Sequence, residues 1–152
     1  MDKIQLSYMA GFFDGEGSIN IVVRQRKHFS PEHTLNIAIG QKDGATLDWI
    51  KDNFGGRIYV VKRDGSFFWA ASNIMAYSII KMILPYLKYK KPQAEIAIEF
   101  YEGKLKKNNR KITHKEIERR ESIRKKLKLL KHDIIESHYA GTTTKRADPT
   151  GM

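Results

Sequence analysis
The chain has 152 residues, no cysteine, and a formal net charge of +11 at pH 7 with an isoelectric point near 9.8. That length suits one domain around one core, and the charge points to a polyanionic partner, nucleic acid ahead of a membrane surface. The missing thiols exclude disulfides and thiolate metal sites and agree with an intracellular protein, while no apolar run is long enough for a spanning helix and residues 1 to 5 lack a signal peptide's apolar stretch.

Residues 6 to 13 read as a short helix, with Ser7, Ala10, Gly11 and Asp14 on one face. The lack of bulk there would let another helix approach closely. Gly15 and Gly17 suit the turn that ends such a helix. Glu16 is then an anion at the negative end of a helix dipole, unfavourable unless a cation lies close. Two readings stay open: a plain exposed helix end, or half of a divalent-metal site.

From Ser18 to Lys27 the pattern alternates, with Ile19, Ile21 and Val23 on one side and Asn20, Val22, Arg24 and Arg26 on the other. Ser30-Pro31 marks a turn within residues 28 to 33. Residues 34 to 40 alternate again, Leu35, Ile37 and Ile39 inward and Thr34, Asn36 and Ala38 outward, which completes a hairpin. A helix over 43 to 53 carries Leu47, Ile50 and Phe54. A second hairpin spans 57 to 62 and 67 to 71 around Asp64-Gly65, a strong local signal. Tyr59, Val61, Arg63 and Phe68 are expected to face out, although a one-residue slip would exchange them with the core set. The Phe67-Phe68-Trp69 run reads as strand core.

Asn73 is expected to cap a third helix to about Leu84, with Ile74, Tyr77, Ile80 and Leu84 on its apolar face. Pro92 starts another, residues 103 to 110 form a basic linker, and Thr113 with Glu116 opens a last helix in capping-box spacing, to about Lys131. Residues 103 to 131 hold thirteen Lys and Arg against three Glu, so these helices grip phosphates or stay solvated. The expected organisation is one domain over 1 to 138, with a core at 5 to 102 and basic helices at 103 to 138. Residues 139 to 152 form an extended or disordered tail. The five histidines show no zinc spacing and read as loop, surface or phosphate-contact residues.

Residues 9 to 17, Met-Ala-Gly-Phe-Phe-Asp-Gly-Glu-Gly, resemble the signature of the LAGLIDADG homing endonucleases. Met9 stands at the first leucine; Ala10, Gly11, Asp14 and Gly17 match. Phe12 and Phe13 replace leucine and isoleucine, Gly15 replaces alanine, and Glu16 replaces the second aspartate. The order of elements downstream also resembles that family's α+β core, αββαββα, with a four-stranded antiparallel saddle sheet on DNA and further helices after it.

The resemblance implies a sequence-specific double-strand DNA endonuclease that needs Mg²⁺, with Mn²⁺ able to substitute. It assigns metal binding to Glu16 and the Gly15 carbonyl. It assigns water ordering to Gln41, otherwise an ordinary strand-end residue. It assigns phosphate polarisation to Lys90, with Lys88 and Lys91 as alternatives. Some relatives carry a basic residue four positions after the glutamine; here that position is Ala45, and Lys42 is the nearest substitute. DNA contacts fall on Asn20, Val22, Arg24, Arg26, His28, Thr34, Asn36, Ala38, Tyr59, Val61, Arg63 and Phe68, where arginine suits guanine and asparagine adenine. A plain solvated face is the competing reading of that set.

One motif per chain implies a homodimer through Ser7, Ala10, Gly11 and Asp14 and a pseudopalindromic site of about twenty base pairs. Two other functions fit the same resemblance: an RNA-binding splicing maturase, and a DNA-binding regulator that no longer cuts.

Overall fold
The computed structural model describes residues 1–105 and 112–140. Helix α1 (Lys3–Glu16) leads directly into β1 (Gly17–Arg26) and β2 (Phe29–Gln41), then α2 (Ala45–Phe54), β3 (Arg57–Val60), β4 (Phe67–Ser72) and α3 (Asn73–Ile83). A short 3₁₀ turn at Leu84–Tyr86 precedes α4 (Lys91–Leu105) and α5 (His114–Ala140). The predicted αββαββα order is therefore present, in an α+β fold with one antiparallel sheet of order β1-β2-β4-β3.

Period-two alternation makes the sheet two-faced. Ile19, Ile21, Leu35, Ile37, Ile39 and Trp69 are buried on the helix side, against Met9, Ala10 and Phe13 of α1 and Ala76, Ile79, Ile80 and Ile83 of α3. Trp69 also donates its indole N–H to the Gly55 carbonyl at 2.9 Å, which holds the end of α2 to β4. Among the described residues no helix covers the opposite face along Asn20, Val22 and Arg24, which stay exposed.

Several local expectations change. The first helix runs longer than residues 6 to 13 because Asp2 and Gln5 form a capping box. Its end needs no left-handed glycine: Gly17 is extended, φ −77° and ψ 158°. The first hairpin turns at Lys27-His28, not at Ser30-Pro31, with His28 at φ 71°. Gln25 opposes the extra length at Ser30-Pro31, because Arg24 pairs with Glu32 but Arg26 with Phe29. Proline has no N–H to give the ladder, and a bulge tolerates that loss.

Asn73 does not cap α3. It sits at φ 51° inside the first turn, with Ser72 before it making no side-chain cap bond. Ile74 is 56% exposed and the buried stripe shifts to Ala76, Ile79, Ile80 and Ile83, while Tyr77 and Leu84 are half-buried. Only Trp69 of the aromatic run is fully core; Phe67 is half-buried and Phe68 exposed. Helix α4 continues through Leu105 into the expected linker, whose residues 106–111 lie outside the described residues, as does 141–152 of the expected tail. Helix α5 runs on to Ala140.

Helix α5 is anchored by polar as well as apolar contacts. Ile123 and Leu127 are buried, and Glu116, 4% exposed, accepts from Arg119 at 2.9 Å and from Arg120 at 2.8 Å. The Thr113 hydroxyl accepts from the Glu116 N–H at 3.3 Å, but the Glu116 side chain serves the arginines, so only half of the capping box forms. His33 is no surface residue: it is 1% exposed and its Nε2 lies 3.2 Å from Glu121 of α5.

Candidate functional site
Helix α1 ends in an acid that nothing neutralises by direct contact. Glu16 is exposed and, among the described residues, makes no hydrogen bond or ion pair. The cation that its position at the dipole's negative end demands is Lys90. This lysine is 8% exposed, and its ammonium donates to the Asp14 carbonyl, one of the last carbonyls of α1 without an intrahelical donor. Asp14 in turn holds the lysine's loop: its carboxylate accepts the Lys88 N–H at 2.7 Å and the Lys90 N–H at 2.8 Å. Burial pushes the Lys90 ammonium below the ordinary lysine range, and the Asp14 and Glu16 carboxylates oppose that fall. Lys88 and Lys91 are exposed, so Lys90 is the lysine of the three that the loop turns toward α1.

The small-residue face of α1 differs from the expected one at two positions. Ala10 is fully buried in this chain's own core, and Asp14 is committed to the 88–90 loop. Neither is free to meet a second copy. Ser7 and Gly11 are exposed as expected, and Ile4, Tyr8 and Gly15 share their surface. A Cβ at Gly11 or Gly15 would touch nothing within 4 Å, so this strip is flat and open.

Gln41 ends β2, half-buried. Because Gly17 pairs with Ile39, Gln41 extends two residues beyond the start of β1, about 7 Å. Ala45 opens α2 and is exposed, and Lys42 is exposed beside it.

The open face carries most of the expected readers. Cross-strand pairing aligns Asn20 with Asn36 and Ser72, Val22 with Thr34, and Arg24 with Glu32. Arg26 forms an ion pair with Glu32, so one of the two predicted arginines has an intramolecular acid. Asn20 is engaged too, accepting from Lys131 of α5 at 2.6 Å. Asn36 Oδ1 is buried with no partner. Ala38 points to this face between Ser18 and Ala70 but is only 8% exposed. His28 is exposed at the hairpin tip.

In the second hairpin Tyr59 and Phe68 pair across the strands and face out. Val61 and Arg63 lie beyond β3, in the turn, and Arg63 faces Asp64 at 3.7 Å. Arg57 and Ser72 complete this face, both exposed. Sequence reasoning missed Glu32, Arg57, Ser72 and Lys131. Extending the alternation back from Thr34 past His33 reaches Glu32, and continuing it from Tyr59 and Phe68 reaches Arg57 and Ser72.

Glu16 and the Gly15 carbonyl are hard oxygen donors, the class that suits Mg²⁺ or Ca²⁺. Among the described residues no three His, Asp or Glu side chains converge. One chain thus fits such an ion with only part of its coordination shell, leaving room for water, a phosphate oxygen and donors from another molecule.

Three comparisons place this architecture. The sequence model for the LAGLIDADG endonuclease matches residues 9–106. The DNA endonuclease I-CreI of Chlamydomonas reinhardtii is 27% identical over 105 residues, 66% of this chain and 64% of that protein. The chain thus spans slightly less than two thirds of that relative's length. Among solved structures, the archaeal intron-encoded homing endonuclease I-Vdi141I, complexed with DNA, superposes with a TM-score of 0.73 at 20% identity, covering 84% of each chain. The homing endonuclease I-CvuI, in complex with its target in the presence of calcium, gives 0.62 at 19% identity over 82% of this chain and 94% of that one. Motif, fold and the match across well over half of its length agree: the chain belongs to the LAGLIDADG endonuclease family.

Proposed function
We propose that this chain is a sequence-specific DNA endonuclease that depends on a divalent metal and cuts both strands of a long, pseudopalindromic site as a homodimer. The observation that carries the reading is Glu16: a bare carboxylate on a helix tip, backed by Lys90 and set at the end of a polar sheet face.

Glu16 and the Gly15 carbonyl would hold the ion, Mg²⁺ with Mn²⁺ as a substitute. When bound, such an ion supplies Lewis acidity toward a phosphate oxygen and lowers the pKa of a coordinated water. Lys90 puts positive charge where the scissile phosphate gathers negative charge, held in place by Asp14. Gln41, at the end of β2, offers an amide that can both donate to and accept from a water. Arg24, Thr34, Asn36, Tyr59 and Phe68 present the open face to a groove, with the net positive charge of the chain adding a salt-dependent grip on phosphates.

One acid per chain supports a two-fold dimer, and the flat strip of Ser7, Gly11 and Gly15, flanked by exposed Ile4 and Tyr8, is the surface that supports close helix approach. Selection of cleaved sites from a random DNA library, followed by plasmid linearisation, tests the activity. Glu16→Gln should abolish cutting and leave binding; a Glu16→Gln protein that cuts normally refutes the assignment. A stable monomer by sedimentation that still cuts both strands refutes the dimer. Stimulated intron splicing without DNA cleavage would favour the maturase instead.

A further inference from the structure
The four strands of the sheet contain a single acid, and it lies on the face turned away from the helices. Glu32 stands across from Arg24, and its carboxylate forms an ion pair with Arg26 near the hairpin tip. A carboxylate is an awkward group on a surface that receives a polyanion, because it repels phosphate whatever the sequence. Stability does not account for it either. The Arg26 and Glu32 side chains are 49% and 37% exposed, and an ion pair so well solvated contributes little to the fold.

The two arginines of β1 are held differently. Arg24 makes no side-chain hydrogen bond or ion pair among the described residues, although Glu32 is its cross-strand neighbour. Arg26 lies beyond the register shift and reaches back to the same acid, its Nη2 donating to Glu32 Oε2. That contact occupies one corner of a planar fork. Arg26 Nε and Nη1 donate to no described residue, and Glu32 Oε1 accepts from none. The pair therefore still offers several N–H donors and one anionic acceptor. A tethered arginine has also given up part of its rotamer freedom before any partner arrives.

We propose that Glu32 is a positioning residue for specificity: it holds the Arg26 fork for the O6 and N7 acceptors of a guanine and withholds that guanidinium from phosphates. The free Glu32 oxygen favours an amino donor on the adjoining base edge, cytosine N4 foremost, and disfavours carbonyl and ring-nitrogen acceptors. The acid thus weakens the grip on arbitrary duplex and sharpens the choice at one base pair in each half of the site. The inference rests on the endonuclease reading only for its partner, double-stranded DNA.

The test reads binding, not cutting. Duplexes are selected by affinity from a random library without added Mg²⁺, and Kd is then measured for the selected duplex and for versions altered at single base pairs. Wild type should select a guanine that Arg26→Gln no longer selects. Glu32→Gln should lose the same preference, about tenfold in the Kd ratio at that base pair. Its affinity for random duplex should instead rise, with the salt slope of that binding steeper by about one as Arg26 turns to phosphate. The double variant should discriminate no worse than Arg26→Gln, and Arg24→Gln should leave that guanine selected. Glu32→Gln keeping the wild-type preference there, or binding every duplex more weakly, overturns the proposal. A protein that shows this pattern and never cuts sustains the proposal and defeats the endonuclease reading; one that selects no sequence defeats both.

Discussion

Replacing Gly17 by alanine separates two reasons for a glycine. The backbone there is ordinary extended chain that any residue adopts, φ −77° and ψ 158°, so conformational freedom predicts no penalty. Space predicts a large one. A Cβ would lie 2.4 Å from Phe13 Cδ2, 2.6 Å from Phe13 Cγ and 2.6 Å from the Phe13 carbonyl oxygen. That oxygen accepts the Gly17 N–H that closes α1, and the Phe13 ring is fully buried, so neither neighbour can retreat without opening the core or the helix end. Overpacking costs about 1–3 kcal/mol, and with backbone involved the upper part of that range, about 2–3 kcal/mol, applies. For a domain of this size that is a fall of about 4–12 °C in Tm.

Gly15→Ala is the matched control. It lies inside the helix with nothing within 4 Å of a Cβ, and should gain about 0.5–1 kcal/mol from helix propensity. Both variants would be compared by urea unfolding and thermal circular dichroism on protein dilute enough to be monomeric. Gly17→Ala melting with wild type, or both alanines shifting the same way, refutes the steric argument.

Asp14→Ala removes the acceptor of two backbone N–H groups and should cost about 2–4 kcal/mol, with cleavage falling further as the Lys90 loop loosens; denaturant unfolding at wild-type stability would contradict it. Gly11→Val adds bulk to the open strip of α1 and should weaken dimerisation in sedimentation equilibrium while leaving the dilute monomer folded. Glu116 gives a pH signature. Its carboxyl is held at about 2, well below the ordinary glutamate value of 4.5, chiefly by the Arg119 hydrogen bond. A depressed acid stabilises the fold above its unfolded pKa and loses that contribution as pH falls through the folded one. The advantage of wild type over Glu116→Gln in urea should therefore be full at neutral pH, about 3 kcal/mol, and decline between about pH 4.5 and 2. A difference constant across that window would show that the arginine contacts work by shape alone.

What could be read from the chain was local. Alternation in Ile19, Ile21, Leu35, Ile37 and Ile39 identified the buried face, because a strand's period is fixed by its geometry. Asp64-Gly65 placed the second turn for a similar reason: Gly65 takes φ 70°, which other residues resist. Pro31 misled the reading, since a proline signals a turn and a bulge alike. Adjacent small residues were ambiguous as well. Ala10 and Gly11 lie about 100° apart around the helix, so only the packed core settles that the first faces inward and the second outward. The contacts that organise the site were out of reach. Asp14 meets Lys88 and Lys90 across more than seventy residues, and Asn20 meets Lys131 across 111; no periodicity encodes such pairings.

The open face is not uniform in side-chain length. Nearest Glu16 the sheet is paved by Ser18, Ala38 and Gly40 on β1 and β2, with Ala70 beside Ala38, while Arg24 and Glu32 stand farther along those strands and Phe68, Tyr59 and Arg57 rise across β4 and β3. A duplex lying along this surface would meet long probes over its flanks and a shallow basin under the bonds to be cut. Bases above that basin have no side chain long enough to interrogate them. Discrimination there would come from how readily each dinucleotide step bends or compresses, so tolerance at the middle of the target should track flexibility more than hydrogen-bonding pattern.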